Sequence, residues 1–225
     1  MRDKPLLNGE TYHVFNRGAH KQKIFLSQED YARFLLLVYL SNSTHPANLR
    51  ETLVKYKGST FGEVFMEERV EDPLVDVLAY SLMPNHYHLI LRQKSDNGIT
   101  NFMRKLGTGY TMSYNVKYEH SGVIFQGRFK SRHVGNGPYF RYIFAYVHLN
   151  PVSIIEPHWE DRGIENPRRV RDFLSQYQHS SYYDYSVKER PQSKLLSLKQ
   201  APDFLRTQND LEEMLKSVRL QAPKG

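Results

Sequence analysis

The stretch PLVDVLAYSLMPNHYHLILRQ, residues 73–93, constrains this chain more than any other. Two apolar runs, rich in residues that suit strands, flank Pro84-Asn85, a pair that favours a turn. They read as a hairpin with strands over 73–83 and 86–93. Yet the returning strand opens with two imidazoles, His86 and His88, where an oily strand has no need of them. Strand geometry sends side chains at i and i+2 to the same face, about 7 Å apart along the chain. His86 and His88 therefore point together, while Tyr87 and Leu89 point the other way. Two convergent imidazoles can share one metal ion, and without one each buried ring needs a hydrogen-bond partner.

Around the hairpin, helical and strand patterns interleave. TYHVFNRG (11–18) alternates and ends at Gly18, a strand pattern. From Ser27 the segment SQEDYARFLLLVYLSNS has a capping serine, Asp30 three residues on, and a helical apolar stripe. Residues 43–72 are polar and irregular, and KGSTFGEVFMEERVED within them suggests a short hairpin. A helix follows over about 97–118, with Ile99, Phe102, Met103, Leu106 and Tyr110 as its buried stripe. GVIFQGRFKSRHV (122–134) is extended and broken at Gly127. Gly137-Pro138 starts another helix that ends at Asn150-Pro151. The expected fold is α+β, an antiparallel sheet layered with helices rather than a doubly wound parallel sheet. Residues 1–186 are expected to form one domain with 43–72 as an insertion. Residues 187–225 read as a polar tail with one amphipathic helix near 208–219.

Composition narrows the setting. The chain of 225 residues has no cysteine, which excludes disulfides and thiolate metal sites. No apolar run approaches the roughly 20 residues of a membrane helix, and MRDKPLLNGE lacks a secretory segment, so a cytoplasmic protein is expected. The net charge of +7 is uneven: residues 101–140 hold six basic side chains against Glu119 alone, whereas 51–80 hold seven acids against three bases. Such an oriented field suits a polyanionic partner, or else a plain solvated surface.

GPYFRYIFAYVHLNP (137–151) carries a second chemical pattern. On a helix Phe140, Phe144 and Val147 form a core stripe, while Tyr142, Tyr146 and Asn150 follow one another at i, i+4 on an adjacent stripe, with Tyr139 nearby. A phenol and a carboxamide thus lie one turn apart, as amphipathic core-edge residues or as parts of a site. Tyrosine attack on a phosphodiester gives a phosphotyrosine that conserves the ester bond for rejoining. A phenol of pKa about 10 is ionised roughly once in a thousand at neutral pH, so a metal on the phosphate would help it.

His86-Tyr87-His88 after Met83-Pro84-Asn85, with Tyr146 and Asn150 downstream, resembles the HUH single-tyrosine transposases. YHVFNRG (12–18), KQKIF (21–25), GVIFQGRFKS (122–131), YVHLNPV (146–152) and SSYYDY (180–185) look like the branch of REP-associated tyrosine transposases and their insertion-sequence relatives. The likeness covers about 11–186. It implies a central antiparallel, ferredoxin-like sheet flanked by helices, with His86, His88 and Asn150 as ligands of a divalent ion, Mg²⁺ or Mn²⁺. It further implies that Tyr146 attacks single-stranded DNA to form a 5′-phosphotyrosine and release a 3′-hydroxyl, in transposition or the mobility of REP-like elements. Tyr110, Tyr114, Tyr118 and Tyr142 are rivals by spacing, but only Tyr146 has an Asn or Gln four residues on.

In GRFKSRH, Arg128, Lys130 and Arg132 alternate, so a strand would offer all three to phosphates from one side, unless they simply guard an edge strand. Arg17 is a further candidate, and Phe125, Tyr110 or Tyr114 could stack unpaired bases. The expected partner is single-stranded or hairpin DNA, with monomer and homodimer both open. Two other functions fit the same residues: a hairpin-binding protein that does not cleave, and a metal hydrolase that uses water.

Overall fold

The computed structural model describes residues 5–45, 51, 55, 61–67, 70–135, 137–200 and 210–221. Its centre is a sheet of β1 (Thr11–Arg17), β2 (Val75–Met83), β3 (His86–Gln93) and β4 (Lys130–Val134). All neighbours are antiparallel in the order β2-β3-β1-β4. The α+β sheet expected from the sequence is thus present, and β3, the histidine strand, lies inside it. The outer edge of β2 is capped by short bridges from Ser180 to Ser81 and from Leu196 to Val77, which removes an open row of backbone donors and acceptors.

Period-two alternation divides the sheet into two faces. Tyr12, Val14, Tyr87, Leu89 and Leu91 turn to one side and bury against α1 (Gln28–Leu40) and α3 (Gly98–Lys117). The foreseen stripe of Ile99, Phe102, Met103, Leu106 and Tyr110 is buried there. The capping box also forms: the Ser27 amide donates to Asp30, and Lys117 and Tyr118 bind the same carboxylate, which ties the start of α1 to the end of α3.

The opposite face is covered at one end by α4 (Pro138–Leu149), where Ile143, Phe144 and Val147 meet Ile90 and Val134. A register shift in β2 sends both Leu78 and Ala79 into this second core. Short helices α5 (Trp159–Arg162), α6 (Pro167–Gln176) and α7 (Tyr182–Ser186) follow, and α8 (Asp210–Gln221) lies along α4 with Leu211 and Met214 buried. Leu195 and Leu196 join the first core.

The hairpin expected near 57–72 is not what the described residues there show. Phe61–Glu67 is a helix, α2. Phe61, Val64 and Phe65 are spaced i, i+3, i+4, a helical stripe, and burying Val64 and Phe65 against the first core outweighs the helix cost of Gly62. The rest of that expected hairpin lies largely outside the described residues.

Candidate active site

The second face is apolar beneath α4 and polar beyond it. Register places Arg17 opposite His86, Phe15 opposite His88, and Lys130 opposite Phe15. Cross-strand partners share a face, so both histidines project on the α4 side, while Tyr87 is buried in the opposite core.

His86 is oriented from behind. Gly18 follows β1 and donates its amide to the Asn85 carbonyl at 2.8 Å. A Cβ on Gly18 would lie 2.2 Å from the Gln22 carbonyl oxygen, so only glycine allows this close return of the chain. With His20 and Lys21 at φ of 50° and 63°, the Lys21 carbonyl accepts from Asn85 Nδ2 at 3.1 Å. That contact turns Asn85 Oδ1 toward His86 Nδ1, 2.7 Å away. An amide oxygen only accepts, so His86 Nδ1 carries the proton. Burial, opposed by the Asn150 contact and reinforced by Arg17, lowers the imidazole to about 4, so it is neutral at physiological pH. Nε2 is then a bare lone pair, and it faces Asn150 Oδ1 at 3.1 Å.

Two acceptors facing each other are a repulsive pair unless something positive lies between them or the amide turns over to present its nitrogen. At 3.1 Å they are spaced like adjacent corners of an octahedron with bonds of about 2.1 Å. One imidazole nitrogen and one carboxamide oxygen, with His88 beside them, fit a divalent ion of the Mg²⁺ or Mn²⁺ kind. Among the described residues no three His, Cys, Asp or Glu side chains form such a group; here the oxygen comes from an amide.

His88 is buried deeper. Its ring is perpendicular to that of His86, at 87° and 5.1 Å between centroids, and its Nδ1 is 2.8 Å from Nε2 of a third histidine, His13. Burial first, then the neighbouring imidazoles, push His88 well below its ordinary pKa.

Tyr146 arrives from α4. Its ring meets His88 edge-on at 5.8 Å and His13 at 6.2 Å, and Tyr142 stacks behind it at 6.2 Å. Asn150, where α4 gives way to a tight turn begun by Pro151, contacts both the Tyr146 hydroxyl and His86. Burial chiefly, then the Glu160 carboxylate and Tyr142, raise the phenol to about 12, while Asn150 pulls it down. The Glu160 carboxyl lies beside the phenol, and burial followed by the charge of Asp161 raises its own pKa. The phenol therefore holds its proton at neutral pH with a carboxylate beside it.

The structure thus brings His86, His88, Tyr146 and Asn150 together. Lys130 and Arg132 project from the same sheet face and are exposed, and Arg17 is exposed on the strand opposite His86. Arg128 does not share their strand. β4 begins at Lys130, after the break at Gly127, so the expected row of three contains two. Tyr110 and Tyr114 are not base platforms: both are buried in the core of the opposite face, and Tyr110 donates to the Ile24 carbonyl at 2.6 Å. Phe125 is partly buried against that same core. His13 and Glu160 were missed by sequence reasoning. His13 stands on the predicted first strand at even spacing from Phe15 and Arg17, a signal that acquires meaning only once the β1–β3 register is known.

Residues 45–150 match the family described as Transposase IS200 like. The matched segment contains the histidine hairpin and the tyrosine helix, and over it the chain resembles that family. Comparison with curated proteins gives no match. Among solved structures, a REP-associated tyrosine transposase bound to a REP hairpin is similar over 82% of this chain and 83% of its own, at 13% identity and a TM-score of 0.49. The tRNA(His) guanylyltransferase of Saccharomyces cerevisiae is similar over 92% and 86%, at 11% identity and a TM-score of 0.36. Neither superposition is close enough to carry a functional argument. No helix among the described residues is long and apolar enough to cross a membrane.

Proposed function

We propose that this transposase cleaves and rejoins single-stranded DNA through Tyr146, with a divalent ion held by His86, His88 and Asn150. The observation that carries the reading is the meeting of His86 Nε2 and Asn150 Oδ1 at 3.1 Å, with the Tyr146 ring against His88. When bound, the ion supplies positive charge to the scissile phosphate. The protein does the rest. Tyr146 Oη forms a bond to phosphorus as the P–O3′ bond breaks, leaving a 5′-phosphotyrosine and a 3′-hydroxyl. The phenolic proton passes to the neighbouring Glu160 carboxylate and from there to the departing 3′-oxygen. Tyr142, stacked behind, limits rotation of the nucleophile's ring. Arg17, Lys130 and Arg132 line the exposed sheet on the site's side and bind phosphates there, with Arg128 a phosphate contact from the preceding loop.

Labelled single-stranded hairpin DNA incubated with the protein and Mn²⁺ tests this. A protein–DNA adduct that survives denaturation, and is absent from Tyr146→Phe, is the expected result. An undiminished adduct in that variant reassigns the nucleophile. Cleaved DNA with no attached protein would make water the nucleophile, and binding without cleavage would make the chain a hairpin-binding protein.

A further inference from the structure

We infer that His13 is a positioning residue that selects the metal-binding tautomer of His88. This rests on the reading of His86, His88 and Asn150 as a cation site. A neutral imidazole has one proton and two nitrogens, so the nitrogen that binds a metal must be bare and the other must find an acceptor for its N–H. For His86 that acceptor is Asn85 Oδ1. For His88 it is a second imidazole: His88 Nδ1 and His13 Nε2 are 2.8 Å apart in a buried contact.

A single proton occupies that contact, and its position decides the site. If His88 Nδ1 holds the proton and donates, His88 Nε2 is bare and His13 carries its own proton on Nδ1. If His13 Nε2 donates instead, the proton of His88 moves to Nε2 and blocks it as a ligand. The pair is a diagonal one across the β1–β3 ladder, since the direct partner of His13 is Ile90 and that of His88 is Phe15. Phe15 lies against both rings, at 5.0 Å from His13 and 5.8 Å from His88, and the two imidazoles lie edge to edge with their planes within 19°. Held edge to edge in this way, neither ring can turn its nitrogens over without breaking the contact between them. His13 also forms part of the wall against which Tyr146 rests, so one side chain sets both the ligand's orientation and the nucleophile's seat.

The test is Mn²⁺ binding by calorimetry to the native protein and to His13→Phe, His13→Gln and His88→Ala, with thermal melts to verify folding. His13→Phe keeps the packing but lacks an acceptor, and should weaken Mn²⁺ binding by roughly 10–100-fold. His13→Gln, whose side-chain oxygen can accept the His88 proton, should recover most of that loss; a residue that only fills space predicts no such rescue. On the native protein, nitrogen-15 spectra of the histidine rings should show His88 and His13 both protonated at Nδ1. Mn²⁺ affinity unchanged by His13→Phe, or His88 protonated at Nε2, would overturn the inference alone. Native protein whose Mn²⁺ binding does not depend on His88 would overturn the cation-site reading and this inference with it.

Discussion

His86, half-buried, and His148, fully buried, are both neutral imidazoles, each lowered to about 4 chiefly by loss of solvent, yet they live differently. His148 lies on α4 two residues from Tyr146. Its Nδ1 donates to the Phe144 carbonyl at 2.8 Å and its Nε2 takes the Ser181 hydroxyl at 2.7 Å. Every polar atom has its complement. Nearby, the Asp184 carboxylate receives Tyr80, Ser193 and a two-pronged Arg190, all within 2.9 Å, with the carboxylate wholly out of solvent. That cluster closes on itself and fastens 180–193 to β2. His86, by contrast, offers a lone pair to another lone pair. A polar group that is buried, neutral and mismatched is held for something that arrives, whereas one that is buried and matched is held for the fold.

The contrast breaks if function and stability do not separate between the clusters. The largest effect is expected at Tyr146→Phe: adduct formation should fall by at least about 10³-fold, with unfolding free energy within about 1 kcal/mol of native, since only a hydroxyl is lost. Asp184→Ala should do the reverse, costing about 3–5 kcal/mol in urea unfolding because Arg190 and the Tyr80 hydroxyl are left without their partner.

His148 sharpens the comparison through pH. Its ordinary pKa of 6.5 is lowered to about 4 in the fold, so between those values the unfolded chain binds the proton more readily. Stability should therefore be full above about 6.5 and decline as pH falls toward 4. His148→Phe should remove up to about 3 kcal/mol of that decline, at about 1.4 kcal/mol per pH unit, as read from unfolding curves at both ends of the window. A smaller change is expected at Arg132→Ala. The slope of single-strand affinity against log salt should drop by about 0.7 per lost phosphate contact, measured by fluorescence anisotropy.

Much of this molecule was legible in the chain because its cues are local. Alternation and a Pro-Asn turn gave the hairpin, Ser27 and Asp30 gave the start of α1, and i, i+4 spacing put Tyr146 beside Asn150. What escaped was set by pairing at a distance. His13 reaches His88 only through a strand register, and Glu160 reaches Tyr146 from a four-residue helix with no periodicity to read. The tyrosines of α3 misled for a related reason. Their spacing was right for a platform, but it also continued the buried stripe that runs from Ile99 to Tyr110, and burial prevailed. The place of Arg128 was misread more simply, because β4 begins two residues after it, beyond a glycine break.

The histidine strand β3 and the helix α4 that carries the phenol are different elements, and α8 packs along α4. Leu211 and Met214 are buried in the core that α4 shares with the sheet. The seat of Tyr146, the proposed nucleophile, is accordingly steadied by a helix well beyond it in the chain, like a lever whose fulcrum lies elsewhere. Removing α8 should loosen Tyr146 and Asn150 together, a defect visible in turnover and, if Asn150 holds the ion, in a metal titration as well.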